Sequence, residues 1–147
     1  MQIETKYSGT VDINEANITV FPSGIPSFEA EKQFVLLPFA EETGPFYILQ
    51  SIATAELAFI VMNPFTFFPD YEVELSDQTL EALHVSAEED VSLFVMLTLK
   101  DSWQDSSANL RGPIVINHET RLGRQIVLAE SSYSTKHALP VPAKEGK

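Results

Sequence analysis

A chain of 147 residues with 44% hydrophobic and 20% charged side chains can bury a core as one domain, and no apolar run approaches the ~20 residues that span a bilayer. The absence of cysteine excludes disulfides and thiolate chemistry, and Met1-Gln-Ile-Glu-Thr-Lys6 lacks the basic leader and apolar core of a signal peptide. The net charge of -12 is unevenly placed: residues 1–100 hold 3 Lys+Arg and 16 Asp+Glu, residues 101–147 hold 6 and 5.

In chain order, Ile3 to Tyr7 and Thr10 to Ile13 read as strands around Ser8-Gly9, since glycine accepts a positive φ without steric cost. Ile18 to Phe21 is a third strand, broken by Phe21-Pro-Ser-Gly-Ile-Pro26; Phe28 with Glu29 to Lys32 suggests a helical turn. Gln33 to Pro38, Phe46 to Ile52 and Leu57 to Met62 are apolar strands, the last without alternation and so expected to be covered on both sides.

The stretch Asn63 to Leu75 is unlike the rest. Pro64 and Pro69 each fix φ and remove a backbone donor, so Phe65, Phe67 and Phe68 between them form a corner, not a helix interior or central strand. From Asp70 to Leu75 acidic and apolar residues alternate, which puts Asp70, Glu72 and Glu74 on one face of an extended chain and Tyr71, Val73 and Leu75 on the other. The phenylalanines read equally as a core plug or as a surface for a partner.

Ser76 then caps a short helix through Leu83 whose inner face carries Leu80 and Leu83. Ser86 to Glu89 has capping-box spacing ahead of Val91 to Leu99, the strongest strand. A polar loop with Trp103 follows, then Ile114 to Asn117 and Arg124 to Leu128 as a hairpin with Gly123 in its turn. Nine or ten short strands and one or two short helices describe a mainly all-β, small antiparallel barrel-like domain over residues 1–130, followed by a polar C-terminal tail, 131–147, expected to be flexible.

Chemistry is hard to find. The six glycines are scattered, so neither a dinucleotide fingerprint nor a phosphate loop is present; His84, His118 and His137 have no second ligand at zinc spacing; no GxSxG occurs. No catalytic residue, cofactor or metal is expected. Between Lys32 and Lys100 there is no Lys or Arg but there are 11 acids, eight of them from Asp70 to Asp90. Such a field repels phosphate, which disfavours direct nucleic-acid binding, and steers cationic proteins.

Five segments occur here in an order that resembles the flagellar assembly factor FliW family. They are Ile3-Glu-Thr-Lys-Tyr-Ser-Gly9, Phe21-Pro-Ser-Gly-Ile-Pro26, Phe34-Val-Leu-Leu-Pro38, Asn63-Pro-Phe-Thr-Phe-Phe-Pro-Asp-Tyr71 and Asn109-Leu-Arg-Gly-Pro-Ile-Val-Ile-Asn117. Where that family often has glycine after the second proline, this chain has Ser27. The resemblance implies a β-barrel-like cytoplasmic protein without enzymatic activity; the chain by itself is expected to be monomeric. Its implied partners are the translational regulator CsrA, whose repression of flagellin mRNA it relieves, and flagellin, which competes for it. FliW is described as contacting CsrA beside the RNA site.

Joined to the charge pattern, this makes Asp70, Glu72 and Glu74 the expected charge partners and Phe67, Phe68 and Tyr71 the expected apolar anchors. Two other readings stay open. A pocket of scattered residues with Tyr47, Trp103 or His84 inside would make the barrel an enzyme or ligand carrier, and exposed strand edges would make it an oligomeric module.

Overall fold

The computed structural model describes residues 1–38, 46–101, 105–128 and 132–139. Its strands are β1 (Gln2–Glu4), β2 (Thr10–Asp12), β3 (Ile18–Val20), β4 (Gln33–Pro38), β5 (Phe46–Ser51), β6 (Ala58–Met62), β7 (Val91–Thr98), β8 (Ser107–Ala108), β9 (Ile114–Asn117), β10 (Leu122–Gln125) and β11 (His137–Ala138). One α-helix, α1 (Asp77–Ala82), lies between β6 and β7.

Strands β3 to β7 form an antiparallel meander, β7 turns back onto β9, and β9 pairs with β10. The ring closes where β10 meets β3 in parallel at Leu122 and Val20, reinforced by the Val20 N–H donating to the Arg121 carbonyl at 2.9 Å. Seven strands thus make a closed barrel, the expected all-β class, with one parallel pair at its seam. Closure leaves these strands without an open sheet edge.

Alternation along each strand sorts side chains into an interior and two exterior clusters. Phe21, Ile25, Phe34, Leu49, Val61, Phe94, Ile114 and Ile116 fill the barrel. The β1–β2 hairpin lies outside it, burying Ile3 and Ile13 against Val35, and Gly9 supplies the positive φ of 66° that its turn requires. Buried Gln50 ties the hairpin down: its Oε1 accepts from the Lys6 N–H at 3.0 Å while its Nε2 donates to the carbonyls of Ser51 and Ala55. Burial of a polar side chain is tolerable because both ends of the amide are satisfied.

The second exterior cluster joins Met62, Tyr71 and Val95 to Ala108, Leu110 and Leu139. Residues 132–139 of the expected C-terminal tail lie against this cluster. β11 pairs with β8 at the end of β7, Leu139 is buried in the cluster and Tyr133 packs against it, so this polar segment is held by ladder hydrogen bonds and two side-chain anchors. Residues 140–147 lie outside the described residues.

Two local expectations change. Phe28 to Lys32 forms consecutive turns, with the Phe28 N–H on the Ile25 carbonyl at 2.6 Å, and no helical turn. Ser27 occupies φ 76° in that first turn, a conformation that favours glycine. Gly123 lies within β10 and not in the preceding turn, which spans residues 118–121. The reason is contact: a Cβ on Gly123 would lie 2.7 Å from Cζ of Phe21, whose ring is fully buried and stacked edge-on against Phe34.

Gly123→Ala is therefore expected to destabilise the fold by about 1–3 kcal/mol, the usual penalty for overpacking. Urea denaturation measures it. Adding Phe21→Leu should recover part of the loss in a double-mutant cycle, because the clash is with that ring.

Candidate partner-docking face

β6 ends at Met62 and the chain turns at once. Asn63 caps a 3-10 turn over Pro64–Thr66, its Oδ1 accepting from the Phe65 N–H at 2.9 Å, and Pro64 sits at the first position, where a missing N–H costs nothing. The Phe68 N–H donates to the Pro64 carbonyl and the Tyr71 N–H to the Phe68 carbonyl, so the corner is two linked turns.

The aromatic rings divide by direction. Phe67 packs on Phe46 with centroids 6.0 Å apart, and Phe68 meets His137 edge-on at 5.3 Å; both are half-buried against the cluster around Met62. Tyr71 is 5% exposed, stacks on Tyr133 at 4.7 Å, and donates its hydroxyl to the Leu110 carbonyl at 2.6 Å. It was expected as a surface anchor; the structure makes it a core residue instead, because its hydroxyl finds a buried acceptor that a solvent-facing ring could not reach. Phe65 is 42% exposed, the ring of this corner that reaches solvent most, and it rests on Tyr71 at 5.9 Å. Sequence pattern could not choose among these phenylalanines, since a corner has no period that assigns faces.

The row beyond the corner has the expected sidedness. Asp70, Glu72 and Glu74 are exposed; Tyr71 is buried, and Val73 and Leu75 are half-buried. The segment does not, however, join a sheet. It is held by Tyr71 from within and by Tyr133, whose hydroxyl accepts from the Glu72 N–H at 3.0 Å. Among the described residues, none of these three carboxylates has a hydrogen-bond or ion-pair partner. They extend into α1, where Ser76 caps the Thr79 N–H, with Asp77 and Glu81 also exposed. Asn117 fixes the far end of α1, its Nδ2 donating to the carbonyls of Leu83 and His84 at 2.8 and 3.2 Å.

Between the corner and α1 runs a groove of about 1180 Å³, lined by Tyr47 and Phe94 of the barrel, Phe65, Glu74, Leu80 and Val85 among others. Tyr47 and Phe94 meet edge-on at 5.7 Å. His84 is exposed and does not line this groove, and Trp103 lies outside the described residues. The barrel interior itself is packed with side chains, which removes an enclosed ligand chamber at its centre. Among the described residues no group of three or more metal-ligating side chains converges, and no helix is long and apolar enough to cross a membrane.

A family model described as FliW protein matches residues 2–139. The chain belongs to the FliW family. A flagellar assembly factor FliW of Geobacillus sp. (strain WCH70) is 51% identical over 147 residues, covering 100% of both chains, and that of Bacillus subtilis (strain 168) is 45% identical over 139 residues, covering 95% and 96%. A crystal structure of the flagellar assembly factor FliW superposes with a TM-score of 0.88 at 48% identity, covering 94% of this chain and 96% of the other. These FliW relatives are named as assembly factors and not as enzymes.

Burial pushes the Tyr71 phenol far above its ordinary value, and Tyr133 beside it adds to the shift. The folded state then keeps a proton that the unfolded chain releases near pH 10, so stability falls as pH rises above that point. Tyr71→Phe should lower stability at pH 7 by about 1–2 kcal/mol through the unpaired Leu110 carbonyl. It should also flatten the alkaline loss of stability, checked by denaturation at pH 7 and above pH 10.

Proposed function

We propose that this chain is a non-enzymatic, cytoplasmic flagellar assembly factor that binds CsrA, relieves its repression of flagellin mRNA, and binds flagellin in competition. The observation that carries this reading is the row of Asp70, Glu72 and Glu74, exposed and without a partner among the described residues. It lies in an interval without Lys or Arg. A regulator that binds RNA presents cationic surface, and an acidic face of this kind steers it into encounter. Family membership supplies the flagellar setting.

Inhibition follows from the same charges. Carboxylates held beside an RNA-binding surface raise the cost of bringing phosphates there, without filling the RNA site. The half-buried Phe67 and Phe68 brace the row from within, and apolar contact with the partner falls to Phe65.

Asp70→Lys combined with Glu72→Lys tests the placement. Exposed ion pairs contribute about 0.2–1 kcal/mol each, and reversal adds repulsion to loss, so CsrA affinity should fall by roughly 10- to 100-fold. Raising the salt concentration should weaken the wild-type complex in the same direction. A folded double variant that co-purifies CsrA undiminished places the interface elsewhere. Displacement of CsrA by flagellin, followed by complex mass, checks the competition.

A further inference from the structure

Val73, Glu74 and Leu75 belong to no helix or strand, line the groove, and alternate half-buried, exposed and half-buried as an extended chain does; among the described residues their backbone makes no hydrogen bond. A segment beside an apolar groove whose N–H and C=O groups pair with nothing is open to main-chain pairing in the way a sheet edge is. In an extended chain the N–H groups of successive residues point to opposite edges. Glu72 spends its N–H on Tyr133, so Val73 and Leu75 present theirs on the opposite edge.

The groove also has a charge preference. The residues that line it fall between Tyr47 and Phe94, inside the interval that lacks Lys and Arg; Glu74 lines it and Asp77 and Glu81 stand exposed on α1. An anionic amphiphile is repelled there. At about 1180 Å³ the groove exceeds the ~300–1,000 Å³ of ordinary small-molecule pockets. Its shape is set in advance by the Asn63 cap under Phe65 and the Asn117 clamp on α1, which reduces the ordering cost of binding.

We propose that an extended polypeptide segment with alternating apolar and basic residues adds as a strand along Val73–Leu75. Its apolar side chains enter the groove at Phe65, Leu80 and Val85, and its Lys or Arg residues face Glu72 and Glu74. Main-chain hydrogen bonds hold such a strand, and the groove and carboxylates select its sequence. The inference deepens the acidic-face reading of function and rests on it for the cationic character of the partner.

The probe is a fluorescein-labelled, end-capped peptide of alternating Val and Lys, titrated with the full chain in an anisotropy assay. Methylating the backbone nitrogen of alternate peptide residues is expected to weaken binding at least 10-fold in one of the two possible phases. Replacing Lys by Glu, or introducing Ser86→Trp to fill the groove, should each weaken it at least 10-fold; circular dichroism verifies that the variant is folded. Equal binding of both methylated phases, unchanged binding by Ser86→Trp, or tighter binding of a helical Leu/Lys peptide overturns the strand mode. CsrA binding by Ser86→Trp is read separately. Peptide lost with CsrA retained supports a groove distinct from the CsrA face. If the peptide behaves as expected while Asp70→Lys with Glu72→Lys leaves CsrA binding intact, the groove stands and the placement of CsrA falls.

Discussion

Gly123 has no side chain where the ring of Phe21 lies, and the barrel closes through that gap. β10 can reach β3 only because the ring occupies the space a Cβ would take. The contact links the closing strand to the interior cluster, since Phe21 stacks edge-on against Phe34, whose strand pairs with both β3 and β5. Seam and core are therefore a single packing problem. Once it is solved, the direction of every barrel strand is set, and with it the position of the corner after β6.

That corner separates two tasks that one hydrophobic stretch would otherwise confuse. Tyr71 and the half-buried Phe67 and Phe68 bind it to the barrel wall, and their burial leaves Asp70, Glu72 and Glu74 no direction but outward. Their charges are costly to group: like charges spaced along one face repel, and the chain from Lys32 to Lys100 sets no Lys or Arg among them. Packing beneath the row holds what electrostatics alone would spread apart. The acidic face is in this sense a product of the aromatic cluster.

Local chemistry made much of this legible. The bounds of β4 follow from an apolar run ended by proline, the α1 start from Ser76, and the sidedness of residues 70–75 from strict alternation. What escaped depended on distant partners. Gly123 looks like a turn glycine until Phe21, about a hundred residues earlier, is known to sit against it. Tyr71 could be assigned to the core only through the carbonyl of Leu110, and residues 132–139 look polar and free because their anchorage is backbone pairing with β8. The alternation of 70–75 is that of a strand, yet the strand lacks a neighbour, and pattern alone carries no information on pairing.

The seam has a consequence for the order of events in folding. β3 and β10 are separated by about a hundred residues, so the loop they close is about two-thirds of the chain. The meander from β3 to β7 joins neighbours and can form as the polypeptide leaves the ribosome, but it has two open edges until β9 and β10 arrive. For that interval a nascent chain carries the unpaired strands and uncovered core that the finished barrel conceals, and its risk of aggregation is concentrated in the time needed to synthesise its last quarter.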